Sequence, residues 1–150
     1  AEAHDRRIVS WSEHDLDVVR RLRDEDPALV ARFEARYANA RAVAKRWASR
    51  LHPGFRPARG ALAGYLGLVG YAVPPAAGPG HVGSTIRAIR PTLDAGRAPT
   101  PLQRERWARL LAHNRHDCAG MRAVCIRATR ELGADDAARE RRGRRLRTGG

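Results

Sequence analysis

The chain has 150 residues, with 29 Lys or Arg against 16 Asp or Glu and a net charge of +13. That length fits one domain, and a hydrophobic content of 43% is too high for a wholly disordered chain. No apolar run approaches the ~18 residues of a membrane span, and no charged-then-apolar leader opens the sequence, so a cytoplasmic protein with no membrane partner is expected. Lys45 is the only lysine and the rest of the basic set is arginine. Such a surface attracts polyanions, nucleic acid (DNA or RNA) first, by neutralising phosphates and releasing counterions.

In chain order, Ile8-Val9-Ser10-Trp11 is the one convincing strand. A helix follows at once, with Ser10/Glu13 or Ser12/Asp15 as a capping-box start and Leu16, Val19 and Leu22 on its inner face. Asp26-Pro27 opens a second helix, whose Leu29, Phe33, Tyr37, Ala40, Ala44, Trp47 and Leu51 recur at steps of three and four. The aromatics of that stripe read as core. His52-Pro53-Gly54 ends it. A short helix over Ala61–Val69 stops at Gly70, and Val73–Gly83 reads as a loop. A helix over Ser84–Ala95 carries Pro91, which predicts a kink. The last helix starts at Thr100-Pro101 and is expected to run to Leu132, closed by Gly133. Residues 134–150, rich in arginine and ending in Gly-Gly, read as a basic disordered tail able to bind nucleic acid without sequence preference. The fold class is mostly α with one clear strand.

Two carboxylates stand out. With Asp117 set at zero degrees and each residue turned by about 100°, Leu110, His113, Met121, Val124 and Ala128 fall on its side of the last helix. Arg115, Arg122 and Arg130 fall opposite. An inward Asp117 needs a cation, several donors or a metal, or else an arginine or a backbone cap in a purely structural role. Asp15, followed by Val18, Val19 and Leu22, also points inward on this reading, although an acid in a first helical turn is favoured by the macrodipole alone.

These residues carry a resemblance. His113-Asn114-Arg115-His116-Asp117-Cys118, followed by Met121-Arg122-Ala123-Val124, resembles the third motif of the DEDD branch of ribonuclease H-like 3′–5′ exonucleases, closest to the predicted RecB-family, YprB-type nucleases. Ile8-Val9-Ser10-Trp11-Ser12-Glu13-His14-Asp15-Leu16 resembles the second motif of that family, and Leu62–Tyr71 lies where it carries a short helix ending in glycine. The resemblance implies that residues 1–133 are the C-terminal half of an α/β ribonuclease H-like domain and that the parent protein cleaves phosphodiesters. It implies Asp15 and Asp117 as ligands of two Mg²⁺ or Mn²⁺ ions, with His113 orienting or deprotonating the attacking water. The opening Asp-x-Glu motif of the family has no counterpart in this sequence. The missing N-terminal half of the domain, or an oligomer partner, is therefore expected to complete the site.

Other constellations are weaker. On one helix His113 and His116 are neighbours while Cys118 points elsewhere and Cys125 lies three turns away, a poor zinc set. Cys118 and Cys125 would sit about 10 Å apart, too far for a mutual disulfide. The glycine-rich Gly78–Thr85 stretch lacks a phosphate-loop ending, but the helix start beside Arg87 and Arg90 is able to receive a backbone phosphate. Arg87, Arg90, Arg115 and Arg122 are thus the candidate nucleic-acid contacts. Two functions compete: part of a metal-dependent exonuclease, or a non-catalytic basic helical module that binds nucleic acid or a protein partner.

Overall fold

A computed structural model describes residues 6–57, 61–74 and 82–148. Its elements in order are β1 (Ile8–Ser10), α1 (His14–Arg20), α2 (Pro27–Arg36), β2 (Tyr37–Asn39), α3 (Ala40–Leu51), α4 (Leu62–Leu66) with a 3₁₀ turn over Gly67–Val69, α5 (Val82–Asp94) and α6 (Pro101–Thr148). The protein is mostly helical. β1 and β2 form a two-stranded parallel sheet in the register Ile8↔Tyr37, Val9↔Ala38, Ser10↔Asn39.

The stretch read as one helix from Pro27 to Leu51 is broken at Tyr37–Asn39. Asp26 caps α2, its carboxylate accepting from the Leu29 N–H at 2.8 Å. Asn39 restarts the helix as the cap of α3 by accepting from the Ala42 N–H at 3.1 Å. Between the two caps the Tyr37 hydroxyl donates to the Ser12 carbonyl at 2.7 Å and accepts from Ser10 Oγ at 3.1 Å, which fixes β2 beside β1. Ser10 Oγ also reaches the Ser12 carbonyl at 2.7 Å. No side-chain cap forms at Glu13, the N-cap of α1, so neither expected capping box is made there.

α4 and its 3₁₀ turn end, as the sequence implies, at Gly70, whose φ of 67° is open to glycine at no steric cost. α6 begins with a reciprocal cap: Gln103 N–H donates to Thr100 Oγ1 at 3.2 Å, and Thr100 N–H donates to Gln103 Oε1 at 2.9 Å. Gln103 Nε2 ties this turn to α5 through the Ala88 carbonyl at 2.8 Å and Thr92 Oγ1 at 2.9 Å.

The core lies where α3 and α4 pack on the middle of α6, and joins Ala44, Trp47, Ala48, Tyr65, Leu66, Val124, Ala128 and Leu132. Burial of such apolar surface at ~25 cal/mol per Å² is the main stabilising term. Gly120 lets α4 approach, since a Cβ there would stand 2.7 Å from Leu66 Cδ2.

α6 does not stop at Gly133. It continues to Thr148, so the described part of the segment read as a disordered tail is helical. Arg50 of α3 holds the extension, its guanidinium lying 2.5 Å from both Asp135 and Asp136. Arg139 pairs with Asp135 at 2.9 Å one turn on. Among the described residues no helix is long and apolar enough to cross a membrane.

Candidate functional site

α6 carries thirteen arginines against six acidic residues. Three of them pair with an acid one turn away: Arg127 with Glu131, Arg109 with Glu105 and Arg139 with Asp135. Glu131 also accepts from Trp47 Nε1 at 2.8 Å. The Trp47 hydrogen bond and then the Arg127 guanidinium hold its carboxyl below the usual range against the opposing effect of burial. Burial acts most strongly on Asp135 and raises its pKa, but the hydrogen bond from Arg139 and the charges of Arg139 and Arg50 outweigh it. That carboxyl too stays below its ordinary value.

The solvent face differs. Arg115, Arg122 and Arg130 are exposed and make no ion pair among the described residues. At about 1.5 Å per residue they lie roughly 10 and 12 Å apart along α6. Turned by about 100° per residue, they share the side opposite Val124 and Ala128. Arg87 and Arg90 are exposed on α5, where Arg90 sits 3.7 Å from Asp94. The glycine-rich residues Gly78, Gly80 and His81 lie outside the described residues.

The carboxylates read as inward-facing need correction. Leu16, not Asp15, is the buried residue of α1; Asp15 is exposed in the first turn. Asp117 keeps 46% of its side-chain surface, and its partner is His113, whose Nε2 lies 3.3 Å from Oδ2. The side chain beside the Asp117 carboxylate is therefore an imidazole, and no arginine pairs with it among the described residues. His116 turns away to meet the Tyr71 hydroxyl with its Nδ1 at 3.0 Å. Among the described residues no three His, Cys, Asp or Glu side chains are grouped to hold a metal, so Asp15 is not gathered with His113 and Asp117. Cys118 and Cys125 are free thiols, and burial pushes Cys125 up from its usual pKa.

A groove of about 680 Å³ opens beside α3, and Arg41, Lys45 and Arg56 line it together with Pro53, Phe55 and Tyr65. Arg56 is held by the Pro53 and Phe55 carbonyls at 2.9 and 3.0 Å. Burial raises the Tyr65 hydroxyl pKa while the charge of Arg41 opposes that rise. The sequence signal was available: Arg41 and Lys45 stand four apart on α3, a like-charge pair that costs helix stability unless something answers it. The chain matches no family model, no curated protein and no solved structure.

Proposed function

We propose that this protein is a basic helical module that binds the phosphate backbone of nucleic acid along the solvent face of α6. The observation that carries the reading is the row Arg115, Arg122 and Arg130, exposed and without carboxylate partners among the described residues. Arg87 and Arg90 on α5 add positive charge outside that row. Charge spaced along one helical element suits a repeating polyanion, and such contacts position a backbone without reading its bases. The test is fluorescence anisotropy of a labelled duplex, DNA and RNA in separate arms, across a salt series. Replacing the three arginines by glutamine should weaken binding and flatten the salt slope by roughly 2.7 units, at about 0.9 per phosphate contact on DNA. Binding indifferent to salt and to the substitutions would refute it.

A second reading, part of a 3′–5′ exonuclease, rests on the His113–Asp117 pair, which puts an imidazole and a carboxylate on one helical face as the resemblance requires. The donors in hand do not fit two divalent ions: one carboxylate and one imidazole fall short of the ligands such a centre takes. No catalytic step is therefore routed through Mg²⁺ or Mn²⁺, and further carboxylates would have to come from an N-terminal half-domain or an oligomer partner. Calorimetric titration of Mn²⁺ into the chain decides its part in that site. Micromolar binding lost in Asp117→Asn supports the reading, and binding unchanged in that variant removes it.

A further inference from the structure

The cations of α3 face two ways. Arg46 and Arg50 point to α6, where Asp135 and Asp136 answer them. Arg41 and Lys45 line the groove instead, and Lys45 makes no ion pair among the described residues. Arg56 enters from the chain beyond α3, and the two carbonyls it bonds hold its guanidinium without cancelling its charge. A neighbouring depression of about 370 Å³ shares Arg41 and Lys45 with the groove and adds Ser12, Glu13 and Asn39. Among the described residues that line the two hollows, Glu13 of the smaller one is the single carboxylate.

From this convergence we propose that the groove is a binding site for a terminal phosphate monoester, carried by a free nucleotide or by the end of a nucleic-acid strand. Charge selects the monoester over the diester. Near neutral pH a monoester bears about −1.5 to −2, whereas a backbone diester bears a single charge. Lys45 and Arg56 alone put two positive charges on one concavity, which match the larger value. Volume points the same way, because about 680 Å³ falls within the ~300–1,000 Å³ of small-ligand sites. The apolar wall of Pro53, Phe55 and Pro57 offers contact to the uncharged part of the ligand. The site shares no residue with the arginine row of α6, so this inference and the backbone-binding reading succeed or fail separately.

The test titrates adenosine monophosphate into the full chain, following amide shifts by NMR, with adenosine as the uncharged control. Saturable shifts around Lys45 and Arg56 are expected with the nucleotide and not with adenosine. Lys45→Gln and Arg56→Gln should each weaken binding at least fivefold. Arg32→Gln, an exposed arginine on α2 that removes the same charge, should leave it unchanged. A parallel arm compares a single-stranded oligonucleotide with and without a terminal phosphate. A fivefold preference for the phosphorylated strand assigns the strand end as the source, and no preference with nucleotide binding retained assigns the free nucleotide. The proposal is overturned if adenosine and its monophosphate behave alike, or if Lys45→Gln and Arg32→Gln have the same effect.

Discussion

α6 is held in two different ways on either side of Gly133. Up to Leu132 its inner side is apolar and packed, with Gly120, Val124, Ala128 and Leu132 buried at every fourth position under α3 and α4. Past Gly133 the helix has acidic and basic side chains where the earlier turns have a core, and the ties to α3 are Arg50 between Asp135 and Asp136 and Arg46, 3.9 Å from Asp136. Apolar contact is insensitive to salt and pH and disappears only with the fold. The ion pairs titrate instead: Arg50 and Asp135 are largely covered, whereas Asp136 is half-exposed and its share also weakens with salt. One helix thus has a part that unfolds with the domain and a part that can open alone.

The largest break is in the packed part. Trp47 is fully buried and its indole N–H serves Glu131. Trp47→Ala should cost about 3–5 kcal/mol, enough to unfold much of the population, as measured by urea denaturation. The charged part yields to a gentler change. Arg50→Ala should leave the denaturation midpoint near its original value while amide exchange protection over residues 134–148 collapses. Equal loss of protection in both parts of α6 would show that they are one cooperative unit.

Acid sharpens the same contrast. Asp135 has a folded pKa below its unfolded value, so its contribution is complete above the ordinary carboxylate range and is lost as pH falls through the folded pKa. Glu131 follows the same rule. Far-UV circular dichroism should therefore show helix loss at acid pH, amide exchange should place it beyond Gly133, and 0.5 M salt should move its onset to higher pH. The smallest effects come from two glycines. A side chain at Gly133 meets nothing within 4 Å, so Gly133→Ala should stabilise by up to about 1 kcal/mol through helix propensity. Gly120→Ala has the same propensity gain but drives a methyl into Leu66, and should lose about 1 kcal/mol net.

What the sequence revealed follows from how local the cause is. The Gly70 stop, the Asp26-Pro27 start and the Thr100 start depend on neighbours within four residues, and all three stand. The interruption at Tyr37–Asn39 depends on a hydroxyl reaching Ser12, 25 residues away, while the helical spacing runs through the break without a flaw. Gly133 looked like a terminus because nothing nearby announces that Arg50, 85 residues earlier, meets Asp135. Asp15 was misplaced by one position of helical phase: Leu16 takes the inward direction, and the acid is turned by about 100° into solvent. At the candidate site, the His113–Asp117 pairing was visible as a one-turn spacing. Of the groove cations, Arg41 and Lys45 are visible as a four-residue spacing, but Arg56 joins them only through the turn after α3.

The 48 residues of α6 extend for about 70 Å, whereas a compact domain of 150 residues has a radius of gyration near ~15 Å. Friction and rotation are therefore anisotropic, with the long axis along α6. Tumbling about the long axis is faster than tumbling across it, and amide relaxation along α6 should differ from that of α3 even where both are equally rigid. Encounter with a large target is governed by the length of that rod, since charge carried far from the centre of mass sweeps a wider shell than the same charge on a sphere.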